Sequence, residues 1–342
     1  MNESVLHSSC FTLLPILILP KLVCSIWCLL IVALATANSL PSITLSGIPV
    51  NDPVAQCEDQ QIVIPLKRAG NLFLIEAVVD SVAGDFIFDT GAPYLVLNQN
   101  YFRQLQPQQN LITAGVGNTN TAVRTVVHSL SFSGIRYNDI DVDLTDLSHI
   151  EDSRNFRLLG LLGTNLFMDF HVEVNMVTRQ MTLTRLNAGG DPVLSSIDSL
   201  VASHQPDLCS PFQYCDHKIM MNVTVAGKKL NWMLDSGAET NVADVLSGKK
   251  VLDDFIVLRR TSLSGTAGVS QDVLTGILPE LSIGKQHFQM QQTIVTSMRE
   301  MNEACSMYID GVLGYSFLSQ GVYTLNFRKR EFCIYLYNSL NR

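Results

Sequence analysis

Two short segments of the chain share one pattern, in which an aspartate is followed by a small hydroxyl residue, a glycine and an alanine. They are Asp89-Thr90-Gly91-Ala92 and Asp235-Ser236-Gly237-Ala238. Each aspartate follows an apolar run typical of a buried strand, which is a costly place for an ionised carboxylate. One such segment would be an ordinary turn sequence. Two copies in the same context indicate chemistry.

The two segments lie at the same place in an internal repeat. Residues 73–92 align with residues 219–238 without a gap, and each reads as two strands joined by a tight polar turn. Further along, GLLGTNLF at 160–167 matches GVLGYSFL at 311–318. The order of features is the same in both halves, so the sequence predicts a tandem duplication.

Most of the chain has the pattern of β-strands. The run SLSFSGIRYNDIDVDL at 129–144 alternates apolar and polar residues and contains a turn near Gly134. Short helices are predicted after each Leu-Gly pair. Many short strands with glycine-rich turns predict an all-β chain of barrel or sandwich architecture.

A duplicated unit usually packs about a pseudo-twofold axis. If the two turns meet at that axis, Asp89 and Asp235 face each other, and two adjacent carboxylates cannot both ionise cheaply. They would then share one proton, so that one is a base and the other an acid. The base can activate a water while the acid protonates a carbonyl oxygen, which is the equipment for amide hydrolysis. Gly91 and Gly237 would let the backbone approach the carboxylates. Thr90 and Ser236 would each send a hydroxyl group across the axis and lock the two turns together.

An apolar-apolar-glycine segment follows each aspartate at a distance, as Leu161-Leu162-Gly163 and as Val312-Leu313-Gly314. Together with the two aspartate turns, these segments resemble the aspartic peptidase clan, over roughly residues 60–340. The resemblance is to the retroviral type fused in one chain, similar to exported bacterial aspartyl proteases. It implies two pseudo-symmetric β-barrel lobes with a cleft between them. It also implies that Leu162-Gly163 and Leu313-Gly314 cross behind the active loops in a ψ-shaped arrangement.

The resemblance further implies a β-hairpin flap over the cleft. The candidates are two glycine-rich polar segments, AGVGNTNTAV at 114–123 and SGTAGVSQDV at 264–273. Their glycines are Gly115, Gly117, Gly265 and Gly268.

The chain departs from the retroviral pattern at several positions. Thr164 and Tyr315 stand where an arginine usually follows the Leu-Gly pair. Pro93 and Glu239 make the two segments after the turns unlike each other, which predicts an asymmetric cleft. Alanine after each glycine cannot offer a hydroxyl to the carboxylates. Fewer donors raise the pKa of the pair, so we expect a pH optimum near 4–6.

Composition limits the partners. The formal net charge of −8, without concentrated basic residues after the N-terminus, argues against nucleic-acid binding. Residues 11–37 carry only Lys21 and end in Ala35-Thr36-Ala37. This pattern predicts a signal peptide cut before residue 38, and the alternative is an uncleaved membrane anchor. Either predicts an exported protein.

Five cysteines follow that segment: Cys57, Cys209, Cys215, Cys305 and Cys333. An exported chain could form two bridges and leave one thiol over. Cys209 and Cys215 bracket a short loop and could pair locally, although buried thiols are the simpler interpretation.

We therefore interpret the chain as an aspartic endopeptidase that acts as a monomer on peptides or proteins, without a metal or cofactor. The alternative is a non-catalytic peptide-binding protein on the same scaffold. The predicted organisation is a signal or anchor (1–37), a leader (38–59), lobe 1 (60–186), a linker (187–214) and lobe 2 (215–342).

Overall fold

The computed structural model describes residues 52–115, 118–148, 150–151, 156–193, 201, 203–215, 217–264, 270–305 and 307–340. The predicted signal peptide or anchor and most of the predicted leader therefore lie outside the described residues. The last leader residues contact lobe 1, where Gln56 forms a β-bridge with Arg136. Within the described ranges, no helix has the length and apolar character needed to cross a membrane.

The first half of the chain is built from short strands. They are β1 (Gln61–Pro65), β2 (Lys67–Ala69), β3 (Leu72–Val79), β4 (Val82–Phe88), β5 (Leu95–Asn98), β6 (Gln109–Gly115), β7 (Asn118–Phe132), β8 (Ile135–Thr145), β9 (Gly160–Leu162), β10 (Phe170–Asn175) and β11 (Gln180–Arg185). A 3₁₀ helix at Thr164–Phe167 follows β9, where a short helix was predicted.

The second half repeats this series. Its strands are β12 (Leu208–Pro211), β13 (Gln213–Cys215), β14 (Lys218–Val225), β15 (Lys228–Leu234), β16 (Asn241–Asp244), β17 (Ile256–Ser264), β18 (Ser270–Ile283), β19 (Gln286–Thr296), β20 (Gly311–Leu313), β21 (Gly321–Asn326) and β22 (Glu331–Leu336). Its helices are α1 (Lys249–Asp253), α2 (Arg299–Ala304), α3 (Tyr315–Leu318) and α4 (Tyr337–Leu340).

Each half closes into a six-stranded barrel, which confirms the predicted all-β fold with two lobes in tandem. In lobe 1 the order is β3-β4-β9-β5-β8-β7, and a pairing between β3 and β7 closes the ring. In lobe 2 the order is β14-β15-β20-β16-β19-β18, closed by β14 and β18. Closure buries the inward side chains of every strand in a continuous apolar core.

Tight turns set the register of the hairpins that carry the two aspartates. Between β3 and β4, Asp80 and Ser81 both adopt positive φ, of 43° and 72°. Ala226 and Gly227 do the same between β14 and β15. Two consecutive residues with positive φ match the right-handed twist of a two-residue hairpin. The same turn thus starts both strands that end at the aspartates.

A third, six-stranded sheet joins the lobes, and the sequence did not predict it. Its order is β1-β11-β10-β21-β22-β12, so each lobe contributes three strands in mirrored order. The lobes meet where β10 pairs with β21, with Val172 opposite Leu325. This sheet places the two barrels in one relative orientation, because a slip of one residue would turn its buried face to solvent.

A disulfide between Cys209 and Cys333 ties β12 to β22 at the edge of this sheet. The local pairing of Cys209 with Cys215 suggested by sequence is therefore wrong. Sequence proximity was misleading because β12 runs beside the last strand of the chain, 124 residues from its cysteine partner. The end of the predicted linker is consequently part of the interlobe sheet.

Replacement of both Cys209 and Cys333 by alanine should lower the free energy of unfolding by about 2–5 kcal/mol, because the bridge closes a long loop in the unfolded chain. Urea unfolding of the variant beside the wild type measures this. Cys57→Ser, which alters a thiol outside the bridge, is the control. Equal midpoints for the double variant and the wild type would show that the bridge does not form.

Candidate active site

The two aspartates lie at the ends of β4 and β15, and each is held by a ψ-shaped strand arrangement. Strand β9 lies between β4, to which it is parallel, and β5, to which it is antiparallel. In lobe 2, strand β20 lies in the same way between β15, to which it is parallel, and β16, to which it is antiparallel. The backbone N–H of Asp89 donates to the Leu162 carbonyl at 3.1 Å, and that of Asp235 donates to Leu313 at 2.9 Å.

The glycines that end these crossing strands allow close backbone contact. A Cβ on Gly163 would overlap the backbone of Tyr94, and one on Gly314 would overlap the carbonyl oxygens of Ala238 and Thr240. The predicted apolar-apolar-glycine segments thus lie directly behind the aspartate loops.

Two hydroxyl side chains cross between the lobes and lock the loops together. Ser236 Oγ donates to the Phe88 carbonyl at 2.8 Å, and Thr90 Oγ1 donates to the Leu234 carbonyl at 3.0 Å. The backbone N–H of Thr90 donates to Ser236 Oγ at 3.0 Å, and that of Ser236 donates to Thr90 Oγ1 at 2.9 Å. Each hydroxyl is therefore donor and acceptor across the interface, which the serine or threonine at this position permits.

Both carboxylates are fully buried, and backbone groups hold them. Oδ1 of Asp89 accepts hydrogen bonds from the N–H groups of Gly91 at 2.8 Å and Ala92 at 3.2 Å. Oδ1 of Asp235 accepts from Gly237 at 2.8 Å. The glycine of each motif thus supports the aspartate of its own lobe.

The same glycines face the aspartate of the opposite lobe. A Cβ on Gly91 would lie 2.7 Å from Cγ of Asp235, and a Cβ on Gly237 would lie 2.6 Å from Cγ of Asp89. Real Cβ atoms essentially never approach that closely. The two carboxylates therefore meet across the lobe interface, and only glycine leaves room for them.

Burial raises the pKa of Asp89 to about 6. A hydrogen bond from the Asp235 side chain opposes the rise, as do the N–H groups of Gly91 and Ala92, but desolvation is the larger effect. Asp89 and Asp235 form one coupled acid–base pair that retains a proton well above the usual range of a carboxylic acid.

Thr164 and Tyr315, which replace the usual arginine, both bind the opposite lobe. Thr164 Oγ1 lies 2.9 Å from the Tyr214 hydroxyl, and Arg68 Nη2 donates to the Tyr315 hydroxyl at 3.1 Å. The Arg68 guanidinium also lies over the Tyr315 ring, 5.4 Å from its centroid. We call these two contacts the interlobe clasps.

The surroundings of the two aspartates differ, in line with the predicted asymmetry. In lobe 1, Tyr94 is buried under the Arg124 guanidinium, which lies 4.7 Å from the ring centroid and pairs with Asp143 at 2.8 Å. The equivalent residue in lobe 2 is Thr240, which shares a hydrogen bond of 2.9 Å with Ser316. Sequence reasoning missed the Arg124–Asp143 pair, and a lone arginine in an apolar strand was its only signal.

The flap candidates are described in part. Gly115 ends β6 and pairs with Asn118 at the start of β7, so this segment forms the end of a hairpin. Gly117, Gly265 and Gly268 lie outside the described residues, although β17 and β18 form a hairpin up to Ser264 and Ser270. Strands β6 and β7 approach helix α2, so the lobe 1 hairpin extends to lobe 2.

Side chains of His, Cys, Asp and Glu can share a metal ion where their donor atoms lie close together. Among the described residues, one group of three such side chains has donor atoms close enough together. It consists of Cys209, Glu331 and Cys333. Its two sulfurs form the disulfide, which removes them as thiolate ligands.

Gly91→Ala should lower the free energy of unfolding by about 1–3 kcal/mol, because the new methyl group and the Asp235 carboxylate would need the same space. Thermal or urea unfolding measures the change. Gly189→Ala adds a methyl group at an exposed loop position and serves as the control. Gly91→Ala unfolding with the wild-type midpoint would contradict the opposed arrangement.

Comparison with known proteins agrees with this geometry. The family model for aspartyl protease matches residues 75–166 and 221–317, one match in each lobe, and together these span more than half of the chain. No curated protein matches the chain. Each match contains one aspartate turn and the ψ-strand behind it, so the chain is a member of the aspartyl protease family, with two retropepsin-like units in tandem.

Proposed function

We propose that the protein is an aspartic endopeptidase, in which Asp89 and Asp235 together activate a water for peptide-bond hydrolysis. The observation that carries this proposal is the meeting of two fully buried carboxylates at the lobe interface, each against the glycine of the other lobe. A protein that used these loops only as turns would not need to bury two ionisable groups together.

The pair has the protonation state that the reaction needs. With one shared proton, one carboxylate is ionised and the other is a carboxylic acid. We assign the ionised role to Asp89, because two backbone N–H groups donate to its carboxylate and such donors favour the charged form. Oδ1 of Asp89 is held by backbone N–H groups, and Oδ2 accepts no hydrogen bond from the protein. Oδ2 is therefore the oxygen that would take a proton from water.

In this reaction the water oxygen bonds to the peptide carbonyl carbon while Asp89 accepts a water proton. Asp235 gives its proton to the carbonyl oxygen, which yields a neutral tetrahedral diol. Asp89 then gives its proton to the amide nitrogen, and the C–N bond breaks while Asp235 takes a proton from one hydroxyl of the diol. The products are a carboxyl group and an amine, and the pair ends with one proton, as it began.

We propose a peptide or protein substrate, bound in the cleft between the lobes, since the reacting carboxylates lie at that interface. The interlobe sheet and the clasps supply within one chain what a dimer would supply with two, which supports action as a monomer. Export through the N-terminal apolar segment remains a prediction from sequence.

Asp89→Asn should lower the rate of peptide cleavage about 1,000-fold or more, because the amide cannot act as a base although it keeps the side-chain shape. The measurement is cleavage of a mixed peptide library, followed by mass spectrometry, with the full chain between about pH 3 and pH 7. Asp139→Asn, at an exposed carboxylate, is the matched control.

Undiminished cleavage by Asp89→Asn would overturn the proposed mechanism. If neither form cleaves, and both bind peptides from the library, the protein is a peptide-binding module on the same scaffold.

The cleavage rate should fall as pH rises through about 6, because the pair then loses its shared proton. The raised pKa also affects stability. Binding of the shared proton to the pair stabilises the folded state fully below the ordinary value of 3.8, and this contribution is lost as pH rises through about 6. Profiles of kcat/KM and of the free energy of unfolding against pH test both effects. Full activity at pH 8, or an optimum below about pH 3, would contradict them.

A further inference from the structure

A small cavity in lobe 2 is lined mainly by sulfur-containing side chains. Its volume is about 10 Å³, roughly the room needed by one water molecule or one ion. The lining residues are Cys215, Lys218, Met220, Cys305, Met307 and Ile309. Four of these six residues offer a thiol or a thioether.

The sulfur enrichment continues into the apolar cluster around the cavity. Met233, Met298 and Met301 are buried there, next to Met220. Five of the 11 methionines of the chain and two of its eight cysteines therefore belong to this one cluster or contact it.

The duplication provides an internal comparison, because lobe 1 builds the same cluster at the same place. Six of the seven aligned positions of lobe 1 carry apolar side chains without sulfur, and the seventh, opposite Cys305, is Arg154. Met220, Met233, Met298, Met301 and Met307 correspond to Leu74, Ile87, Leu147, Ile150 and Phe156, and Cys215 corresponds to Ala69. The same fold therefore forms in lobe 1 without sulfur at these positions. Packing alone does not account for the concentration of sulfur-containing side chains in lobe 2.

We infer that this cavity binds a soft monovalent metal ion, Cu(I), through its sulfur-containing side chains. Thiolates and thioethers are the donors that select Cu(I). Cys215 and Cys305 would supply two thiolates, and Met220 and Met307 would supply neutral thioethers. The ion enters in its reduced state, so binding requires no electron transfer.

The charge of the proposed centre follows from its ligands. Loss of two thiol protons and binding of one Cu(I) leaves a net charge of −1 on the centre. Lys218 is buried and lines the same cavity. A buried anionic centre with an adjacent ammonium group costs less than an isolated one.

The test is titration of the purified full chain, with its Cys209–Cys333 bridge intact, with Cu(I) under anaerobic conditions, against a coloured Cu(I) chelator that competes for the ion. We expect one tightly bound ion per chain. Cys215→Ala, which installs the residue of lobe 1, and Cys305→Ser should each weaken binding more than about 100-fold, beyond the usual loss for an outer-shell partner. Met307→Leu should weaken it less, since a thioether carries no charge.

Two variants control for sulfur elsewhere in the chain, Cys57→Ser and Met290→Leu, and neither should change the affinity. Circular dichroism establishes that each variant is folded, and the readout does not depend on proteolysis. The inference is overturned if no Cu(I) binds, if Cys215→Ala and Cys305→Ser bind it like the wild type, or if mass spectrometry finds Cys215 bonded to Cys305 in the purified protein.

Discussion

Two carboxylates buried against each other are the constraint on which this structure depends. Removal of one carboxylate from water is costly, and a second at the same place adds repulsion unless the two share a proton. The N–H groups of Gly91, Ala92 and Gly237 repay part of that cost, and the crossed hydroxyls of Thr90 and Ser236 hold the loops in place. Small displacements of either loop would separate the pair, so the surrounding architecture has to be rigid.

The duplication meets this requirement by repeating each supporting element about the interface. Strands β9 and β20 pack behind the two aspartate loops and accept hydrogen bonds from them. The interlobe sheet sets the orientation of the barrels. The clasps formed by Thr164 with Tyr214 and by Tyr315 with Arg68 act at equivalent places, with different chemistry. An ion pair is unnecessary there because a covalent chain already keeps the lobes together, and neutral hydrogen bonds and ring contacts serve instead.

Sequence divergence between the copies is concentrated around this shared frame. Lobe 1 places a buried tyrosine under the Arg124–Asp143 pair beside its loop, whereas lobe 2 has Thr240 and a hydrogen bond to Ser316. The clusters behind the loops differ in the same way, with carbon side chains in one and sulfur in the other. Backbone geometry is conserved between the lobes, while the side chains next to it are free to acquire different properties.

The order of residues alone specified the two aspartate turns, the tandem repeat and the β-rich lobes, because these follow from local patterns and their repetition. The strands that cross behind the loops were expected only from the resemblance to a known family. Only the tertiary structure decided how the lobes join, which cysteine bonds to Cys209, what Thr164 and Tyr315 contact in the opposite lobe and that Arg124 pairs with Asp143. Each of these contacts joins residues that are remote in sequence or lie in different lobes. Such partners depend on how finished barrels pack, and no local pattern encodes that.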